Sequence, residues 1–170
     1  DGLKSIVGDE RVLTQEALIR ESSKDYIGYR RFERFYGTEN APLGSCVVKV
    51  KDTQQASDVL KFLNENKIDT TPRTGGSSVT RSIEPVDGGV MLDGSDMNEI
   101  LEVNETDMFV TCLSGTPLET LENYLQERGY TTGHFPQSLP MAQMGGLIAT
   151  RSIGQWSTLY GGIEDLVVGL

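Results

Sequence analysis

Hydrophobic and polar residues follow two different periods over residues 46–73. The run CVVKV at 46–50 predicts a short buried strand, and apolar residues at helical spacing across 52–67 predict an amphipathic helix. The segment IDTTPR at 68–73 predicts a second strand. Strand, helix and strand in this order predict a βαβ unit, and its second strand leads into a loop with two adjacent glycines.

The pattern after residue 88 predicts further strands and helices. Apolar runs predict a strand in GVMLD at 89–93 and a hairpin over 99–112, with the polar residues NETD at its turn. The segment 141–152 predicts a short helix, and the run IEDLVV at 163–168 predicts the entrance of a strand. The chain is therefore predicted to have an α+β fold.

Residues 116–129 carry the start and stop signals of a helix. Thr116 is the expected N-cap, Pro117 the expected first helical residue, and Glu119 the second member of a capping box. Gly129 is the glycine expected at the C-terminal end. This segment is the best-defined helix that the sequence predicts.

The first 44 residues predict a helical arm. Two short helices are expected, capped by Asp1 and Thr14, whereas residues 22–44 have no clear period and predict an irregular stretch. Arginines alternate there with aromatic residues: Arg30, Arg31, Arg34, Phe32, Phe35 and Tyr36. Such a pattern can bind nucleic acid, but on this acidic chain packing of the arm across the domain is favoured.

Charge and cysteine usage narrow the function classes. Fifteen basic and twenty-five acidic side chains give a net charge of −10, which argues against nucleic-acid binding. No apolar run is long enough for a membrane span, and no signal peptide is identified. Cys46 and Cys112 lack CxxC spacing, which favours reduced thiols and a cytoplasmic location. The single histidine, His134, excludes a histidine-rich metal site, and no metal is predicted.

The loop TPRTGGSSVT at 71–80 is a candidate phosphate-binding segment. Adjacent glycines let backbone amides approach an anion without obstruction by a Cβ, and successive N–H groups can surround a phosphate. The loop has neither the lysine of a P-loop nor a GxGxxG fingerprint. The residues alone leave two interpretations open, a phosphate cradle and a plain turn. Arg73 is likewise either a phosphate ligand or a solvated charge.

Residues 133–170 contain the same residue types as the glycine loop: small residues, hydroxyl side chains and a glycine pair, Gly145 and Gly146. Two such segments would suit one long phosphate-bearing ligand. The alternative interpretation of the glycine pair is close packing of a helix.

These segments, in this order, resemble the FAD-binding domain of the vanillyl-alcohol oxidase and p-cresol methylhydroxylase superfamily. GYTTGH, ATRS and YGGIEDLVVG are most similar to the alkyldihydroxyacetonephosphate synthase branch and related bacterial FAD-linked oxidases. The resemblance covers residues 45–170. It implies a two-subdomain FAD-binding fold, with residues 1–44 as the arm, 45–95 as the first subdomain and 96–170 as the start of the second.

The resemblance also implies the cofactor, FAD, and two groups of contact residues. The pyrophosphate would be bound by Pro72, Arg73, Thr74, Gly75, Gly76, Ser77 and Ser78. The flavin side would be lined by Gln137, Ser138, Leu139, Met141, Ala142, Gln143, Gly145 and Gly146, with further contacts from Thr150, Arg151 and Ser152. Thr74 stands where the family generally has a third glycine. Some members attach FAD through a loop histidine, and none lies in residues 71–80, so noncovalent binding is expected.

The remaining candidate residues are expected to have structural roles. His134 is expected to make a loop hydrogen bond near the cofactor rather than to act in catalysis. Glu164 and Asp165 resemble an acid pair, but a structural role is favoured. Trp156 and Tyr160 are expected to pack against other side chains rather than to stack on a ligand ring.

The implied activity is that of an FAD-linked oxidoreductase acting on a small-molecule substrate such as a 2-hydroxy acid. Two alternatives stay open: a flavin enzyme of the ether-lipid synthase type, and a non-catalytic nucleotide-binding module. The apolar end IEDLVVGL, together with the resemblance, predicts an N-terminal fragment of a longer enzyme. The FAD-binding fold would then be incomplete at the C-terminus, its open edge would favour homo-oligomers, and the catalytic residues would lie beyond Leu170.

Overall fold

The computed structural model of the chain describes residues 1–38, 40–86 and 88–170. The chain forms two compact units, Asp1–Asp96 and Met97–Leu170. Each unit mixes helices and strands, so the α+β prediction is confirmed.

A sheet of four described strands organises the first unit. The strands are β1 (Val12–Leu13), β2 (Cys46–Lys49), β3 (Thr70–Arg73) and β4 (Val90–Asp93), in the spatial order β1-β2-β4-β3. β1 is antiparallel to β2, whereas β2 and β3 are both parallel to β4. The predicted βαβ unit is therefore present, with β4 inserted between its two strands.

The helices of the first unit are α1 (Gly2–Val7), α2 (Glu16–Ser22), α3 (Gly28–Phe35) and α4 (Thr53–Glu65). α4 confirms the predicted amphipathic helix, since its Val59 and Leu63 are buried. The side chain of Asp52 accepts the N–H of Gln55 at 2.8 Å and caps the start of α4.

The buried core of this unit joins the arm to the sheet. Ile19 of α2 packs with Val47 of β2 and Met91 of β4, and Leu13 and Leu43 pack against them. Residues before position 45 therefore contribute both a strand and core side chains to the first unit.

Three expectations for the arm were wrong. The N-cap of α2 is Gln15 rather than Thr14, whereas Asp1 is the N-cap of α1 as predicted, although its side chain makes no capping hydrogen bond. α3 forms inside the stretch predicted to be irregular. Its Phe32 and Phe35 are 66% and 81% exposed, so these aromatic residues do not pack across the domain. The side chains of Arg30 and Arg31 lie outside what the structure describes.

The second unit begins with the predicted hairpin, formed by β5 (Ile100–Asn104) and β6 (Phe109–Cys112). At its turn, Asn104 Oδ1 accepts the N–H groups of Thr106 and Asp107 at 3.1 and 2.9 Å. This side-chain-to-backbone pattern stabilises the turn locally, as the polar NETD sequence predicted.

The next helix, α5 (Leu118–Gln126), starts one residue later than its signals predicted. Pro117 is the N-cap, and the Thr116 hydroxyl donates to the carbonyl of Glu99 at 3.2 Å instead of capping the helix. The helix ends at Gln126 with Glu127 as its C-cap, earlier than predicted, but Gly129 has the predicted left-handed conformation, with a φ of +80°. The N–H groups of Gly129 and Tyr130 donate to Gln126 and Leu125 carbonyls, both at 3.0 Å.

Three short helices complete the second unit: α6 (Met144–Ala149), α7 (Ser157–Tyr160) and α8 (Ile163–Leu166). α8 contradicts the predicted strand entrance, because the Asp165 side chain accepts the N–H of Gly162 at 2.9 Å and caps a helical turn. One core cluster of this unit contains Leu118, Ala142, Leu147 and Ile163. Among the described residues, none of the helices combines the length and the hydrophobicity that a membrane crossing requires.

Candidate functional site

The glycine loop follows β3 at the end of the parallel sheet. The carbonyl of Arg73, the last residue of β3, accepts the N–H of Gly94 at 2.9 Å. Gly76 has a φ of +69°, a conformation that side chains with a Cβ rarely adopt. A loop at the carboxyl end of parallel strands is a common place for ligand binding in such sheets.

The backbone amides of this loop are available to a ligand. Within the described part of the chain, the N–H groups of residues 74–78 donate to no carbonyl and no side chain. An amide that is not satisfied by the protein needs water or a ligand oxygen as its acceptor. The loop thus presents a short series of donors without the obstruction of a side chain at Gly76.

Arg73 lies against this loop with an unsatisfied donor. Its Nε is buried and has no hydrogen-bond partner among the described residues. A Cβ added to Gly76 would lie 2.8 Å from that Nε, so the guanidinium packs directly over the glycine. A half-buried guanidinium whose buried Nε has no partner, next to free amides, suits an anionic ligand.

The hydroxyls of the loop are used unequally. Ser78 Oγ is 3.1 Å from Thr80 Oγ1 and 2.9 Å from Ser82 Oγ, and it also accepts the Thr80 N–H at 3.3 Å. Ser78 therefore holds the end of the loop through its side chain. The hydroxyls of Thr74 and Ser77 make no such contacts within the described residues.

Sequence reasoning missed a buried residue that contacts the far end of the loop. Asp25 is only 7% exposed, and its Oδ2 accepts the N–H of Arg81 at 2.5 Å. The neighbouring N–H of Tyr26 donates to the Ser78 carbonyl at 2.7 Å. The sequence SSKD is rich in turn-forming residues, but no local pattern pairs it with residues 78–81.

The second predicted segment, residues 137–146, is closely packed. Gln143 forms a bridge with Pro117, and the N–H of Leu118 donates to the Ala142 carbonyl at 3.0 Å. A Cβ on Gly145 would lie 2.8 Å from that of Ser114. Packing therefore accounts for Gly145, the alternative that the sequence left open.

The remaining residues of this segment divide between core and turn. Ala142 is buried in the core, and Leu139 packs against it. The Ser138 carbonyl accepts the N–H groups of Met141 and Ala142 at 2.9 and 2.8 Å. Gln143 is the exception to this satisfied packing, since its buried Oε1 has no partner among the described residues.

The predicted contact residues 150–152 lie in a turn after α6. Thr150 Oγ1 donates to the Gly146 carbonyl at 2.8 Å, and Arg151 has a φ of +50°. Ser152 Oγ is 3.1 Å from His134 Nε2. His134 thus makes a loop hydrogen bond to a predicted contact residue.

His134 is 1% exposed, and its Nδ1 has no partner among the described residues. Burial lowers the pKa of its imidazole, because the charged form loses hydration, and this outweighs the opposing effect of Glu164. The ring is therefore neutral at pH 7, and one of its nitrogens carries the proton.

A buried carboxylate holds the loop that carries His134. Glu122 of α5 is 2% exposed and accepts hydrogen bonds from Thr131 Oγ1, from the N–H and Oγ1 of Thr132, and from Gln126 Nε2, at 2.6 to 2.9 Å. Burial opposes ionisation of Glu122, but these donors outweigh it and lower its pKa. Sequence reasoning did not find this residue, because its partners become neighbours only after folding.

The aromatic residues Trp156 and Tyr160 and the acidic residue Asp165 have the structural roles that were expected. The Trp156 ring lies 4.4 Å from that of Phe135 and 6.1 Å from that of Tyr160, measured between centroids. Asp165 caps α8.

Cys46 and Cys112 are free, and burial raises the pKa of both thiols, which lowers their reactivity.

Each unit, taken by itself, has polar groups that would suit the cofactor that the resemblance implies. Three buried side-chain polar atoms lack partners within the described residues: Arg73 Nε, His134 Nδ1 and Gln143 Oε1. Buried polar groups are normally hydrogen-bonded, so such atoms mark places where a ligand or water completes the structure. All three belong to residues that the sequence had singled out. The free amides around Gly76 add donors suited to a pyrophosphate.

Residues 44–170 match the FAD binding domain family, and the chain belongs to that family. Over its whole length the chain is 52% identical to YgcU of Escherichia coli K12, an uncharacterized FAD-linked oxidoreductase, and spans 35% of that protein. It is 31% identical to the alkyldihydroxyacetonephosphate synthase of Dictyostelium discoideum over 76% of this chain and 21% of the relative. It is 27% identical to the D-2-hydroxyglutarate dehydrogenase of Stutzerimonas stutzeri over 100% of this chain and 34% of the relative.

Solved structures confirm the fold. An alkyldihydroxyacetonephosphate synthase matches 96% of this chain with a TM-score of 0.89 and 24% identity, over 30% of its own length. p-Cresol methylhydroxylase matches 94% of this chain with a TM-score of 0.64 and 22% identity, over 28% of its own length. The chain therefore spans between about a fifth and about a third of the length of these relatives. The predicted FAD-binding domain is confirmed by the family match, and the solved structures confirm the fold that the resemblance implied.

Proposed function

We propose that the glycine loop binds the FAD pyrophosphate and that the whole protein is an FAD-linked oxidoreductase acting on a small 2-hydroxy acid. The free amides of residues 74–78 beside the unpaired Nε of Arg73 carry this proposal. The amides would donate hydrogen bonds to the phosphate oxygens, and Arg73 would add a charge-assisted hydrogen bond. When bound, FAD would supply the redox chemistry as the hydride acceptor.

The second candidate segment has a different proposed task. We assign residues 137–143 with Gly145 and Gly146 to the flavin side, and residues 150–152 to further contacts. Within this set the unpaired Oε1 of Gln143 is an acceptor for a ring N–H, and His134 holds Ser152. The packed Ala142 and Gly145 shape the backbone of this segment rather than contribute polar contacts.

We also propose a substrate class and a cellular location for the protein. A relative named as a D-2-hydroxyglutarate dehydrogenase supports a 2-hydroxy acid as the substrate class. The residues that act on it are proposed to lie in the part of the relatives' length that this chain does not span. Two free thiols support a cytoplasmic location.

The substrate proposal is tested on the full-length flavoprotein without oxygen. Addition of 2-hydroxy acids is expected to bleach the flavin absorbance, because the cofactor is reduced. A relative named as an alkyldihydroxyacetonephosphate synthase supports the second candidate, which predicts exchange of an acyl for an alkyl group without bleaching. If the purified protein neither contained nor bound FAD, both enzymatic hypotheses would be excluded, and only the non-catalytic nucleotide-binding module would remain.

Substitution of Arg73 tests its proposed contact with the phosphates. Arg73→Met is expected to raise the dissociation constant for FAD by about tenfold to a hundredfold, because a charge-assisted hydrogen bond contributes about 1.5–3 kcal/mol. Titration of the apoprotein with FAD, followed by fluorescence, measures this change. Lys61→Met on the exposed surface of α4 is the matched control for loss of one positive charge. Equal effects of the two substitutions would show that Arg73 acts only through net charge.

We further propose that FAD is bound without a covalent bond. The chain's single histidine is buried, and its Nε2 is already paired with Ser152. Acid precipitation of the holoprotein is therefore expected to leave a yellow supernatant and a colourless pellet. Colour that stays in the washed pellet would contradict the proposal.

A further inference from the structure

The carboxylate of Asp25 is buried in the arm, outside the segment 44–170 that matches the family. No described cation pairs with it. Its two oxygens instead accept backbone N–H groups, Oδ1 from Ile27 at 3.1 Å and Oδ2 from Arg81 at 2.5 Å. A buried carboxylate that is satisfied only by backbone amides orients those amides strongly, because an unpaired charge would be costly.

One of these amides belongs to a residue in an unfavourable conformation. Arg81 has a φ of +63°, in the left-handed region that residues other than glycine seldom occupy. Such a conformation persists only where surrounding contacts hold it. The hydrogen bond from the Arg81 N–H to Asp25 is the shortest of the contacts described for this residue.

The arm holds the glycine loop at a second point. The N–H of Tyr26 donates to the Ser78 carbonyl at 2.7 Å. Because a peptide unit is planar, this bond fixes the orientation of the whole peptide plane that follows Ser78. Asp25 and Tyr26 together fix both ends of residues 78–81, which begin at the last residue with a free amide.

We propose that Asp25 is a positioning residue of the FAD site. Through Arg81 it holds the end of the glycine loop in the conformation in which the amides of residues 74–78 converge on the pyrophosphate. This inference rests on the proposed function of the loop. It also makes the arm a part of the cofactor site, although the arm lies outside the matched family segment.

The test introduces Asp25→Asn into the full-length protein. Asparagine presents one acceptor and one donor where aspartate presents two acceptors, so one of the two backbone N–H groups loses its partner. The dissociation constant for FAD is expected to rise by about tenfold or more, since a buried unpaired donor costs about 1–3 kcal/mol. The phosphorus-31 resonances of the bound pyrophosphate are expected to shift, which a merely structural role would not cause.

Asp52→Asn is the matched control, because Asp52 also accepts a backbone N–H but caps α4 instead of holding the loop. It should leave both the affinity and the phosphorus resonances unchanged. Normal FAD affinity and unshifted resonances in Asp25→Asn would overturn the inference. Failure of the unsubstituted protein to bind FAD would instead overturn the proposed function.

A second variant decides the case in which Asp25→Asn does not fold. Glycine adopts a positive φ without strain, so Arg81→Gly reduces the need for the Asp25 carboxylate. Combined with Asp25→Asn, it is expected to restore a folded protein whose FAD affinity lies within about tenfold of the original. A double variant that stays unfolded would show that Asp25 does not act through Arg81.

Discussion

Gly76→Val is expected to weaken FAD binding by at least about a hundredfold, or about 2.8 kcal/mol. Gly76 has a φ of +69°, which a β-branched residue adopts only with strain. Its Cβ would also lie 2.8 Å from Arg73 Nε, so the guanidinium would have to leave its position over the loop. Both changes disturb the donors proposed for the pyrophosphate. Titration of the apoprotein with FAD measures the loss.

Gly37→Val separates the two causes. Gly37 has a similar φ of +65°, but nothing lies within 4 Å of an added Cβ. The control should carry the same backbone strain and retain FAD affinity. If Gly76→Val binds FAD as tightly as Gly37→Val does, residues 74–78 are not the phosphate cradle.

Glu122→Ala is expected to lower the free energy of unfolding by about 3 kcal/mol, because removal of one carboxylate leaves several donors without their acceptor. Four hydrogen bonds from Thr131, Thr132 and Gln126 end on this side chain. Denaturant unfolding of the full chain measures the difference. Glu119→Ala in the same helix is the matched control, because Glu119 is exposed, and it should change stability by no more than about 0.5 kcal/mol.

The contribution of Glu122 to the free energy of unfolding is also expected to depend on pH. Its folded pKa lies below the ordinary value of 4.5, so its ionised form is favoured in the folded state. This contribution is complete above pH values near 4.5 and is lost as the pH falls through the lowered folded pKa. Glu122→Gln should therefore lose less stability than the original protein on acidification through this range. Parallel acid denaturation curves for the two proteins would contradict the assignment.

Local signals predicted the regular elements well where a period extends over many residues. β2, α4, the β5–β6 hairpin and the left-handed Gly129 after α5 all follow patterns that are complete within a short segment. The segment of α8 was predicted as a strand entrance because the six-residue run IEDLVV is too short for its period to distinguish a strand from a helix. Its capping bond from Gly162 to Asp165 decides for a helix.

The candidate site was predicted less completely than the elements. The glycine loop and Arg73 were identified from composition and from the order of the motifs. Asp25 was missed, because it meets Arg81 across 56 positions of sequence. Thr116 was assigned to a helix cap, whereas its hydroxyl donates to Glu99 in the hairpin. Each of these outcomes depends on a partner that is distant in sequence, which local spacing does not reveal.

The sequence by itself determined the βαβ unit and the glycine loop at its end, and its resemblance to a known family indicated an FAD-binding domain. Periodicity and motif order are properties of the sequence, so they can be identified without a structure. Only the tertiary structure decided that β4 lies between β2 and β3, that Arg73 Nε is buried without a partner, and that the arm holds the loop. Strand neighbours, burial and hydrogen-bond partners are set by contacts between distant segments, and these exist only once the chain has folded.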